Sequence, residues 1–188
     1  MMRIITGKAK GIKLDTLSGD NTRPTAERVK EAVFSMLQFD IEGRRVLDLF
    51  AGSGQMGLEA ISRGASEAVF VERSKDAVKV IEKNIAKTRL SSYCKVITCD
   101  CMDFINRNRS DRYDIIFLDP PYASGLYIPV LKALFANSCL KPSTMIVCES
   151  DFDELLEKEP ELKNIYRIMK TSRYGKTVIT VLEVVNEE

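Results

Sequence analysis

Four short apolar runs, each ending at or just before a carboxylate, dictate what this chain can fold into. They are Arg45-Val46-Leu47-Asp48, Ala68-Val69-Phe70-Val71-Glu72, Cys94-Lys95-Val96-Ile97-Thr98-Cys99 before Asp100, and Tyr113-Asp114-Ile115-Ile116-Phe117-Leu118 before Asp119. Runs of this length, rich in β-branched and aromatic residues, read as buried strands. Helical spacing fills the gaps between them. A stretch from Gly57 ends near Arg63-Gly64; another starts at Ser74 and repeats Val78, Ile81 and Ile85 on one face; shorter ones cover Met102 to Asn106 and Ile128 to Ala136. Ser74 suits an N-cap and Asp76 the positive helix end. A fifth strand is expected over Met145 to Glu149.

Alternating strands and helices imply an α/β fold: a Rossmann-like, doubly wound, mostly parallel sheet with helices on both faces and ligands beyond the carboxyl ends of the strands. All four acids then stand on that rim. The tail breaks the alternation. Ile165 to Lys170 and Thr177 to Val185, joined through Arg173-Tyr174-Gly175-Lys176, predict an antiparallel C-terminal edge hairpin. At the other end, Arg3 to Leu17 alternates around Gly7-Lys8-Ala9-Lys10-Gly11 and predicts a β-hairpin, and Pro24-Thr25 starts a helix. Residues 1–42 are thus expected to form an extension over the ligand site and residues 43–188 the core of a single domain.

Composition narrows the function classes. No apolar run approaches bilayer-spanning length, and Met1-Met2-Arg3 does not lead into the apolar core of a signal peptide, so a cytoplasmic protein is expected. The five cysteines are odd in number and lack C-x-x-C spacing, which fits free thiols. The chain contains no histidine, so imidazole bases and ligands are excluded, and no metal site is expected. Net charge is +1, but residues 1–30 carry +4 and the remainder −3. Lys8, Lys10, Arg23 and Arg28 concentrate where phosphates could be contacted.

The chemistry is carried by Asp119-Pro120-Pro121-Tyr122. The residue before a proline is driven to extended geometry and Pro121 has no N–H, so the Asp119 carboxylate and the Pro120 carbonyl are held side by side. Two fixed acceptors suit the two N–H bonds of a planar exocyclic amine. Its lone pair is delocalised, so it attacks an electrophilic methyl group poorly unless it is aimed. Tyr122 offers a flat ring for an extruded base.

Upstream, Asp48-Leu49-Phe50-Ala51-Gly52-Ser53-Gly54 is a strand broken by a glycine-rich turn that opens a helix. Gly52-x-Gly54-x-x-Gly57 also satisfies the dinucleotide fingerprint, so a nicotinamide enzyme competes. Asp48, just before the turn, suits a ligand ammonium group and would repel a pyrophosphate. Glu72 suits a ribose in either case, and Asp100 an adenine amine.

The order Asp48-x-Phe-Ala-Gly-Ser-Gly, Glu72, Asp100 and Asp-Pro-Pro-Tyr resembles class I S-adenosylmethionine-dependent methyltransferases. Arg23-Pro24-Thr25-x-x-Arg28, the opening Arg3-Ile4-Ile5-x-Gly7 and the closing Tyr174-Gly175-x-Thr177 narrow the resemblance to the RsmD family, bacterial enzymes that methylate the N2 amine of a guanine in 16S ribosomal RNA. The resemblance implies S-adenosylmethionine as methyl donor. Its methionine part would lie near Asp48, Phe50, Ala51, Gly52, Ser53 and Gly54, its ribose on Glu72 beside Arg73, and its adenine against Asp100 and Cys101. Asp119, Pro120, Pro121 and Tyr122 would hold the amine, and Lys8, Lys10, Arg23, Thr25 and Arg28 would touch RNA. The implied partner is 16S ribosomal RNA in a partly or fully assembled small subunit, approached by a monomer.

Three other readings share these residues. A DNA adenine N6 methyltransferase uses the same tetrapeptide but usually has a sizeable target-recognition region. A protein glutamine methyltransferase more often has Asn in place of Asp119. An assembly factor that binds RNA without catalysis would not need every one of these positions filled.

Overall fold

The computed structural model describes residues 2–17, 24–108, 111–152, 155–157 and 159–185. Seven strands form one sheet in the order β3-β2-β1-β4-β5-β7-β6. The strands are β1 (Arg45–Asp48), β2 (Glu67–Glu72), β3 (Cys94–Thr98), β4 (Tyr113–Leu118), β5 (Leu140–Ser150), β6 (Tyr166–Tyr174) and β7 (Thr177–Val184). Pairing is parallel from β3 through β5 and antiparallel for β5 with β7 and β7 with β6. Chain order runs outward in opposite directions from the β1/β4 pair, which makes that pair the switch point where the crevice opens. The Rossmann-like α/β fold and the antiparallel C-terminal edge are as expected.

The helices are α1 (Pro24–Met36), α2 (Gln55–Ser62), α3 (Lys75–Thr88), α4 (Cys101–Arg107) and α5 (Tyr127–Ala136). The Ser74 side chain accepts from the Ala77 N–H at the start of α3, a cap that contributes about 1 kcal/mol. Two apolar layers sandwich the sheet. One gathers Val33, Phe34, Leu58, Ile61, Phe70, Ile81 and Phe117 beneath α1, α2 and α3. The other gathers Leu47, Val71, Phe104, Ile116, Leu131 and Leu182 beneath α4 and α5. Among the described residues, no helix is long and apolar enough to cross a membrane.

β5 is longer than its apolar run. It begins at Leu140 and passes through Lys141-Pro142-Ser143 before the buried stretch, and its register against β4 shifts between Tyr113 and Ile115. Buried Thr144 bridges the irregularity, its hydroxyl donating to the Tyr113 carbonyl (2.7 Å) and accepting from the Lys141 N–H (2.7 Å).

The N-terminal hairpin is present only as a hooked loop. Arg3 and Lys13 make a single antiparallel bridge, and Ile4 with Ile12 and Leu14 with Met2 add backbone hydrogen bonds. Its backbone turns to α2 instead of to a second strand. The Ile5 and Thr6 N–H groups donate to the Glu59 carboxylate (2.8 and 3.0 Å), the Lys8 N–H to the Ser62 carbonyl (2.8 Å) and the Ala9 N–H to Ser62 Oγ (3.0 Å). Glu59 is fully buried and also receives Arg63 Nε (2.9 Å) and the ammonium of buried Lys30 (3.4 Å). Paired charges with every oxygen engaged can be tolerated in a core.

Of this extension, expected to lie over the ligand site, α1 and the base of the hook line the crevice and the tip does not. The tip docks at the C-terminal end of α2, a helix about 12 Å long, whereas the crevice opens at its N-terminal end.

Candidate active site

Because β1, β2 and β4 run parallel, their carboxyl ends bring Asp48, Glu72 and Asp119 to one rim. A cavity of about 640 Å³ opens there, lined by Phe50, Gly52, Glu72, Arg73, Asp100, Cys101, Asp119, Pro120, Pro121, Tyr122 and Glu149, with Leu49 and Val71 on its floor. That size suits a drug-sized or nucleoside-sized ligand. A smaller cavity of about 280 Å³ adjoins it, lined by Met2, Val29, Lys30, Asp48, Ala51, Ser53, Gln55 and Met56. Phe50, Gly52, Asp119 and Glu149 line both. The two chambers thus meet at the end of β4.

The glycine turn holds its shape through backbone geometry that only glycine adopts cheaply: φ is +52° at Gly52 and +77° at Gly54. Gly52 donates its N–H to Glu72 Oε2 (3.0 Å), and the Ser74 N–H donates to Glu72 Oε1 (2.8 Å). The carboxylate is locked by one bond on each oxygen and keeps further lone pairs for the cavity, an arrangement suited to vicinal hydroxyls. Asp100 caps α4, its Oδ1 accepting from the Met102 N–H (2.8 Å). One of its oxygens is thus a structural cap and the other is available to a ligand amine. Buried Cys101 follows it, with its thiol pushed up to about 11 by burial. It is an inert wall group.

Asp48 faces the smaller chamber. It is 4% exposed, accepts from the Gly57 N–H (3.3 Å), and burial pushes its carboxyl up to about 7, with the Glu72 charge adding to the shift. A cation arriving beside it would complete its ionisation. Ala51 and Ser53 line the same chamber; the Ser53 hydroxyl donates to the Met2 sulfur (3.3 Å). Gly54 lines neither cavity. It heads α2, and an added Cβ there would press on Ile81 and Phe70.

Asp119 is open to the crevice while protein surrounds it on its other sides. That surrounding, and the charges of Glu149 and Asp48, raise its carboxyl well above the usual range. Pro120 is buried, and Tyr122 is 43% exposed with its ring at the cavity mouth. The Tyr122 hydroxyl donates to Glu149 Oε1 (3.4 Å), and the Tyr127 hydroxyl donates to the Glu149 backbone carbonyl. Glu149 escaped the reading of the sequence. It follows Cys148, which pairs with Leu118 in β4, so Glu149 and Asp119 are adjacent strand-end positions. A fifth acid on the same rim was the available signal.

The RNA-facing candidates separate. Lys8 and Lys10 are exposed at the hook tip, away from the crevice, with the Lys8 ammonium 5.5 Å from the Tyr93 ring centroid. Exposed Arg28 stands on α1 next to Val29 and Lys30 of the smaller chamber. Thr25 lies in α1, but its side chain, like all of Arg23, lies outside the described residues. Among the described residues, no cluster of histidine, cysteine or acidic side chains could hold a metal ion, and all five cysteines are free.

The family described as Conserved hypothetical protein 95 matches residues 2–183. The ribosomal RNA small subunit methyltransferase D of Haemophilus influenzae is 37% identical over 157 residues, 82% of this chain and 81% of its own. The Bacillus subtilis protein YlbH is 34% identical over 182 residues, 96% of this chain and 97% of its own. The solved structure of YhhF from Escherichia coli superposes with a TM-score of 0.85 at 30% identity and covers 99% of both chains. With this coverage added to the motifs on the rim, the chain belongs to the RsmD family of methyltransferases.

Proposed function

We propose that the protein transfers a methyl group from S-adenosylmethionine to the N2 amine of a guanine in 16S ribosomal RNA. The observation that carries this reading is the position of Asp119-Pro120-Pro121-Tyr122 in the wall of the same cavity as Glu72 and Asp100, with Asp119 also reaching the smaller chamber that holds Asp48. Relatives named ribosomal RNA small subunit methyltransferase D support the substrate class.

The larger chamber fits the nucleoside part of the donor. Glu72, already oriented by two backbone amides, accepts the ribose hydroxyls. The free oxygen of Asp100 accepts the adenine amine beside Cys101, and the smaller chamber, lined by Asp48, Ala51 and Ser53, receives the cationic methionine end. The donor supplies a methyl group on a positively charged sulfur. This chain's own contribution is to aim the amine at it. Asp119 and the Pro120 carbonyl accept the two N2–H bonds, which turns the nitrogen lone pair toward the methyl group, and Tyr122 stacks on the base. In a single displacement the N–C bond forms as the S–C bond breaks. The S–C electron pair stays on sulfur, giving neutral S-adenosylhomocysteine. The surplus N2 proton passes to the Asp119 carboxylate, whose raised affinity for protons suits that task.

Replacing Asp119 with alanine tests the assignment. Transfer should fall on the order of 100- to 1,000-fold, while donor affinity, measured by calorimetry, changes little. A variant that methylates RNA at the wild-type rate would remove Asp119 from the mechanism.

A further inference from the structure

Guanine presents two neighbouring donors on its pairing edge, N2–H and N1–H. Adenine presents an amine beside a bare N1 acceptor. A site that holds only an exocyclic amine cannot tell them apart; a second acceptor placed beside the first can. The structure supplies that second acceptor. β4 and β5 are parallel and in register at Leu118 and Cys148, so the next residues, Asp119 just past β4 and Glu149 near the end of β5, stand on neighbouring backbones about 4.8 Å apart. Both line both chambers. Glu149 is also anchored: its backbone carbonyl accepts from Tyr127, and its carboxylate accepts from the hydroxyl of Tyr122, the ring assigned to stack on the base.

We propose that Glu149 is a specificity-determining residue that accepts the N1–H of the target guanine while Asp119 and the Pro120 carbonyl hold its N2 amine. This rests on the guanine-N2 reading above. The Glu149 carboxylate, already accepting from Tyr122, has lone pairs left for a further N–H donor, whereas a base offering an N1 lone pair sets acceptor against acceptor.

The test uses 2-aminopurine, which keeps the N2 amine but has no N1–H. The modified guanine is first located by the wild-type reaction. Small subunits are then reconstituted with RNA carrying either guanine or 2-aminopurine at that position, and kcat/KM is measured for the full-length wild-type protein and for Glu149→Gln. Losing one hydrogen bond to a charged acceptor predicts that wild type favours guanine by on the order of 10- to 100-fold. The amide introduced by Glu149→Gln can donate to a bare N1, so the preference of that variant should shrink to a few-fold at unchanged donor affinity.

Equal wild-type rates on the two subunits would overturn the inference and leave the guanine-N2 reading intact. A preference that survives unchanged in Glu149→Gln would also overturn it, since the lost O6 would then explain the discrimination. No wild-type methylation of guanine would overturn both. Should the variant fail to fold, the wild-type comparison alone still decides against the inference if the two bases react alike.

Discussion

Asp48 is the residue whose chemistry and stability pull hardest against each other. Its carboxyl rises to about 7 in the folded chain from an ordinary value of 3.8. Below about pH 4 the group is protonated whether the chain is folded or not, and it costs nothing. As pH rises toward 7 the unfolded chain ionises it first, and the folded state loses stability up to a plateau above 7. Asp48→Asn should therefore stabilise the ligand-free protein by ~1–3 kcal/mol at pH 8 and by little at pH 4, as read from urea unfolding at the two values. The same change should weaken binding of the cationic donor. Wild-type donor binding near pH 7 should release protons, seen as a dependence of calorimetric heat on buffer ionisation. Equal stabilisation at both pH values would mean that Asp48 stays ionised in the folded chain.

At the scale of elements, the strand ends were legible and the N-terminal hook was not. Apolar runs stopping at Asp48, Glu72, Asp100 and Asp119 fixed the rim, because parallel strands share one carboxyl edge and the acids sit at their ends. The hook depends on partners more than fifty residues away. Glu59 and Ser62 of α2 take its amides, and fully buried Asn84 of α3 accepts from the Asp15 N–H and donates to the carbonyls of Asp15 and Ser53. No local spacing announces such polar hubs. Glu149 closed the expected fifth strand but stood beside no motif: it opens the run Glu149-Ser150-Asp151-Phe152-Asp153-Glu154, whose several acids give no reason to single one out. Docking of the hook has its own test. Gly7 has φ +85°, and an added Cβ would fall 1.7 Å from the Ser62 carbonyl oxygen. Gly7→Ala should destabilise the protein by about 2–3 kcal/mol, measured by chemical denaturation. A change below about 0.5 kcal/mol would show that the hook detaches at little cost.

For the whole molecule, the sheet's outward order from β1 and β4 turns four separate sequence motifs into one divided crevice, and the proposal stands on that division. One chamber is walled by Glu72 and Asp100, the other by Asp48, Lys30 and the N-terminal arm, and Asp119 and Glu149 line both. The most direct test incubates the purified protein with labelled S-adenosylmethionine and small ribosomal subunits from a strain lacking its own copy of the enzyme, then digests the RNA and identifies the labelled nucleoside. The expected product is N2-methylguanosine labelled at a single position. Label in adenosine or in a ribosomal protein, or donor binding without any transfer, would contradict it.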